Sequence, residues 1–323
     1  MDERKSNKQV NIFWLILVLL NLFAGQVIGM LVDNAIARIL LAQALIIVPV
    51  IIYIMVTHQN PVELLRIHKF HVGSAFLVIL LGFCLFPVVG FCNALSMVFF
   101  TNLMTDNMTE IAGNGLTVSL LIMALLPGVV EEFTFRGVLM GTYDKGKRPV
   151  QAILFSALAF AMMHMNFNQM CYAFVLGVIM GTVVELTGSI FSSILIHITI
   201  NGTSSILTWA MMKAGESLGE AGQQELQSQI SAATAGTSAD YMRTALTILP
   251  IALIALGICW LLIKAIAYLN GTAEQLHFWT SKEYKEDRAQ ITKFRVFDIP
   301  YGIAMGLCLV MCILVELAAR VLR

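Results

Sequence analysis

Apolar runs of roughly twenty residues, separated by short polar breaks, recur along almost the whole chain. A bilayer's hydrocarbon core is about 30 Å thick, which a helix crosses in about 20 residues. Nine windows meet that pattern, at about 11–32, 36–57, 74–100, 115–142, 150–164, 169–187, 190–212, 244–269 and 298–320. The fifth is short, so it is expected to be tilted or partly covered by its neighbours. The pattern predicts an all-α, polytopic membrane protein with about eight to nine transmembrane helices. Residues 1–114 carry the first three helices. Residues 115–212 form a helical core, and 213–323 hold a long polar loop and the last helices. At the start, Arg4, Lys5 and Lys8 precede an apolar run too long for a signal-peptide core and without a small-residue cleavage site after it. It reads as a signal anchor.

Composition agrees. The chain is 58% hydrophobic and 12% charged, against about 25% charged in soluble domains. The net charge is zero and no basic patch is interleaved with aromatics, so a nucleic-acid partner is not expected. All six cysteines fall inside apolar windows without a C-x-x-C, which points to packing. The 18 methionines read the same way.

Lysine and arginine set the expected orientation. With the N-terminus inside, thirteen of the 20 fall on inner segments (1–10, 58–73, 143–149, 270–297) and five on outer ones. The compact loops look bacterial, which makes a bacterial cytoplasmic membrane the expected location. Arg320 and Arg323 argue against a ninth span, although Glu316 at i−4 can neutralise Arg320. Segment 58–73 reads as an interfacial connector with a short amphipathic turn, and its three histidines as interfacial rather than metal-binding. Segment 213–242 reads as a mobile outer loop with a frayed helix, and 271–297 as charged, cytoplasmic and partly helical.

Against this background the polar residues of 127–201 stand out. Glu131 and Glu132 are adjacent inside an apolar window, and Arg136 follows Glu132 at i+4, where the two can pair. A carboxylate in hydrocarbon costs several kcal/mol or more, so retained ones have a use. Glu131 is rotated about 100° away from Glu132 and stays available. Pro127-Gly128 upstream should kink the helix or free a carbonyl. His164 ends the next window, and His197 and Asn201 share a face one turn apart. A carboxylate with an imidazole can deprotonate water, and a histidine with an amide can donate to an oxyanion. Glu131, His164 and His197 can equally ligate a catalytic zinc with an open fourth position. Each piece has a plainer reading: a structural ion pair, a hydrogen-bonded interior histidine, Asn201 as interhelical glue, Phe160 as core, Glu185 as an interfacial carboxylate paired with a loop lysine. Those readings do not account for six polar groups in three helices within 71 residues.

Glu131-Glu132-x-x-x-Arg136, Phe160-x-x-x-His164 and His197-x-x-x-Asn201 resemble, in order, the three motifs of the CPBP (CAAX protease and bacteriocin-processing) intramembrane proteases, also called the Abi family. The lead Glu185-x-Thr-Gly-Ser is similar too. The resemblance covers about 115–212. Each motif alone is weak, and the ordered triple is specific. It implies a helical membrane core with its site facing an intramembrane cavity. Glu131 and His164 would activate water, His197 and Asn201 would form the oxyanion site, and Glu132 with Arg136 would hold the first motif. The family is commonly labelled metalloprotease, yet its CAAX-cleaving members look workable with glutamate alone. Zinc on Glu131, His164 and His197 is therefore one route. The metal-free route is preferred, because Asn201 beside His197 suits an oxyanion better than a ligand sphere. The implied activity is endoproteolysis of a peptide or membrane-associated substrate, of CAAX or bacteriocin-leader type, within the lipid bilayer. The alternatives are a non-catalytic scaffold or immunity protein and a proton-coupled transporter. No His-Glu-x-x-His, Gly-x-Gly-Asp or Gly-x-Ser-x-Gly supports another intramembrane protease type.

Overall fold

The computed structural model describes residues 3–102, 105–143, 148–234, 236–281 and 296–321. Every regular element among them is helical. Eight helices are long and apolar enough to cross a membrane. They are α1 (Glu3–Leu31), α2 (Ala35–Thr57), α3 (Val72–Met97), α4 (Leu116–Tyr143), α6 (Phe167–Thr187), α7 (Ile190–Ser217), α8 (Ser238–Leu269) and α9 (Ile299–Val321). The fifth apolar window forms α5 (Pro149–Met163), which at 15 residues is too short to span alone. The chain is thus an all-α, multi-pass membrane protein. Large apolar side chains such as Phe76, Ile254 and Leu261 cover its outside, as lipid contact requires.

The short α5 is covered by α6. Gly177 lets the two backbones approach so closely that a Cβ there would lie 2.9 Å from the Cβ of Ala157. The chain then turns sharply. Met165 adopts φ 49°, in the left-handed region, and Asn166 caps α6 by accepting from the amides of Asn168 and Gln169. This turn fixes His164 at the end of α5.

Helix α4 is not a regular α-helix. Leu120–Leu125 and Phe133–Met140 run in wide π-type turns, flanking an α-helical Leu126–Glu132. Such wide turns are rare and concentrate at functional sites. Pro127 has no N–H to give the carbonyl four residues back, that of Met123. That carbonyl instead accepts from Asn201 Nδ2 at 3.1 Å. The carbonyl freed by the proline is thus filled from α7.

Contacts across the chain define two ends of the bundle. At one, Ser238 Oγ donates to the Val98 carbonyl, Arg320 to the Phe99 carbonyl, and Arg38 pairs with Glu110 at 3.6 Å. Arg320 also pairs with Glu316 at 2.8 Å, which neutralises the charge on α9. At the other end, the Ile190 amide donates to the Arg66 carbonyl, Thr272 Oγ1 to the Leu186 carbonyl, and Asn270 Nδ2 to Ser74 Oγ. Glu185 is paired at 2.7 Å, though with Arg66 rather than a lysine. One expectation about the loops is corrected. Within 213–242, α7 continues to Ser217 and Gly219–Thr234 is a further helix, because Ala, Glu and Gln favour helix even without an apolar face. In 58–73 the amphipathic turn is the four-residue helix Pro61–Leu64, and the nearby His71 caps α3 by accepting from Gly73 N. Ala273–Thr280 is helical. The rest of the predicted cytoplasmic segment at 282–295, and 144–147 of the basic loop, lie outside the described residues.

Candidate active site

Glu132 and Arg136 sit in the wall shared by α4, α5 and α7, and neither exposes any side-chain surface. Their pairing is direct: Arg136 Nη1 donates to Glu132 Oε1 at 2.9 Å. The same oxygen accepts from His197 Nδ1, also at 2.9 Å. The carboxylate can only accept in this arrangement, so Nδ1 carries the proton. The close approach of α4 and α7 depends on Gly128, where a Cβ would meet Ile198 Cγ1 at 2.9 Å. The Arg136 guanidinium also lies over the Phe160 ring, 4.3 Å from its centroid. Phe160 is core, as its plainer reading has it, and it also stands edge-on to both histidines, with centroid distances of 5.0 Å to His164 and 6.1 Å to His197.

Glu131 turns the other way, into a cavity of about 910 Å³. Its side chain keeps 17% of its surface exposed, whereas Glu132 keeps none. His164, His197 and Asn201 line the same cavity, together with Phe160 and Pro127. His197 Nε2 lies 3.9 Å from Glu131 Oε2, so this one imidazole faces both glutamates. His164 Nδ1 lies 2.9 Å from the Phe160 carbonyl. A carbonyl cannot donate, so Nδ1 is protonated and Nε2 is left with a lone pair, the form of a base. Asn201 spends one N–H on Met123 and keeps its second. All six sequence-predicted residues are therefore gathered at one place: four line the cavity, and Glu132 and Arg136 back it.

Sequence reasoning missed Gln43. Its Nε2 donates to Glu131 Oε1 at 3.4 Å, and its buried Oε1 has no hydrogen-bond partner. The signal was present, since Gln43 interrupts the apolar stretch Ile39–Val50 as its one polar residue. Among the described residues no group of three or more His, Cys, Asp or Glu is placed to hold a metal ion. Each histidine commits Nδ1 elsewhere, to Glu132 or to the Phe160 carbonyl, and keeps Nε2 for the cavity.

Residues 113–203 match the family model described as type II CAAX prenyl endopeptidase Rce1-like. The Rce1-like match runs from the start of α4 into α7 and includes all six site residues. It bears out the resemblance to the CPBP, or CAAX, protease family. It implies a membrane protease and supports CAAX-type endopeptidase activity in general. No curated protein and no solved structure matches the chain.

Proposed function

We propose that the protein is an intramembrane endopeptidase that cleaves a peptide bond with water activated by Glu131, without a metal. The observation that carries this reading is the hydrogen-bonded row Arg136–Glu132–His197 standing directly behind the exposed Glu131 at the inner end of the cavity. The row holds His197 in one orientation.

In this mechanism Glu131 takes a proton from water, with His164 Nε2 accepting the water's other hydrogen bond. The water oxygen attacks the scissile carbonyl carbon. The resulting oxyanion accepts from His197 Nε2–H and the second N–H of Asn201. Glu131 then passes its proton to the leaving nitrogen, the C–N bond breaks, and an acid and an amine are released. Glu131, His164, His197 and Asn201 are the catalytic residues, and Glu132 and Arg136 position them. The substrate is a peptide or membrane-associated protein, of CAAX or bacteriocin-leader type.

Cleavage of a tagged peptide library by purified protein tests this, with Glu131→Gln as the control. Hydrolysis by the wild type, lost in the variant and indifferent to phenanthroline, supports it. Activity lost in phenanthroline and restored specifically by zinc, with about one zinc bound per chain, overturns the metal-free route.

A further inference from the structure

The cavity runs toward one end of the bundle, and that end can be identified. The lining residues farthest from Glu131 come from the end of α1, the start of α2, the segment 102–111 and the end of α7: Gly29, Arg38, Asn102, Met108, Thr208 and Met212. They surround the end at which Arg38 pairs with Glu110. Thr208 lies eleven residues beyond His197 on α7, about 16 Å along the helix. Toward the opposite end the site is closed. Leu64, Leu65, Leu139 and Met140 are buried beneath it, and a Cβ on Gly137 would already lie 2.5 Å from Leu65 Cδ2.

The closed end carries the positive charge. Arg66, Lys69 and Arg148 are there, with Lys145 and Lys147 in the adjoining sequence and five more Lys and Arg between 270 and 297. The mouth end holds Arg38, Lys213, Arg243 and Arg320, fewer than the closed end and its loops, and its 98–115 segment contains only acidic charges, Asp106 and Glu110. Basic loops stay in the cytoplasm, and the bias counts over short loops such as these.

We infer that the mouth opens on the extracytoplasmic side, so that the site takes a peptide segment displayed at the outer leaflet and works at its floor, deep in the membrane. This rests on the proposed protease reading and names the substrate's side, narrowing it to a peptide presented from outside rather than a CAAX tail carried by a cytoplasmic protein. The walls add a chemical restriction. Ile28, Ile39, Ile122, Leu176 and Met211 line the way in, and Arg38 is the one Lys or Arg among the described lining residues, already facing Glu110. Such mainly apolar walls favour an apolar segment.

The test uses the full chain in a bacterial expression host, with Thr208→Cys at the mouth and Lys69→Cys at the closed end, each compared with the unsubstituted chain and its native cysteines. A membrane-impermeant maleimide is applied to spheroplasts and to inside-out vesicles. Labelling above background of Thr208→Cys in spheroplasts alone, and of Lys69→Cys in inside-out vesicles alone, is the expected result. The reverse pattern overturns the inference, and so does failure of Thr208→Cys to label from either side, since the mouth would then be closed. An apolar peptide added outside spheroplasts forms the second arm. Labelling as expected with no cleavage by wild type over Glu131→Gln leaves the orientation standing and sinks the protease reading instead.

Discussion

Two adjacent carboxylates on one helix live in opposite surroundings. Glu132 is sealed in the helix wall, where it accepts from both Arg136 and His197 through one oxygen. Glu131 stands at the cavity floor with only long contacts, from Gln43 at 3.4 Å and His197 at 3.9 Å. The first is committed to holding the site together and the second faces the cavity. The site's stability and its chemistry are therefore separable by mutation, although the residues are neighbours in sequence.

The sharpest break in that comparison comes from the exposed side. Glu131→Gln should lower single-turnover cleavage by about 10²–10⁴, the range of general-base catalysis, and leave thermal unfolding in detergent unchanged. Retention of activity within about tenfold would remove Glu131 from the chemistry. The sealed side should behave in the reverse way. Arg136→Ala leaves Glu132 buried with His197 as its remaining partner, and should destabilise the protein by about 3–5 kcal/mol. A melting temperature equal to that of His197→Ala would mean that the guanidinium is not dry. Asn201 belongs to both sides, so Asn201→Ala should cut kcat by about 10²–10³, the loss typical of one oxyanion donor, and also lower stability by releasing the Met123 carbonyl. An effect on stability alone would make Asn201 only a structural partner of α4. The smallest effect is expected from Gln43→Leu, about 1 kcal/mol in kcat/KM, as for one neutral hydrogen bond. No change in rate or pH profile would show that the 3.4 Å contact does not steer Glu131.

Much of this was legible in the sequence, because ionisable residues inside apolar windows are conspicuous. Glu132 and Arg136 were readable as a pair from i,i+4 spacing alone, and the helix count followed from run length. What could not be read was everything that depends on which helices touch. The bond from His197 to Glu132 requires α4 and α7 to meet at Gly128, 70 residues from Ile198. Gln43 is a single polar residue whose partner lies 88 positions away. The wide turns of α4 leave no periodic trace in so apolar a segment. The helix Gly219–Thr234 reads from sequence as part of a mobile loop with a frayed helix because it has few large apolar residues, although its Ala, Gln and Glu are good helix formers.

The bond between Asn201 and the Met123 carbonyl sets up a conflict between durability and turnover. Replacing Pro127 by alanine would return an amide to α4 and mend the helix from within, a change that usually raises stability. The restored N–H would compete for the carbonyl that now fixes the Asn201 amide. A sturdier helix would thus be a poorer catalyst, because the defect in α4 is what gives the side chain on α7 its fixed bearing.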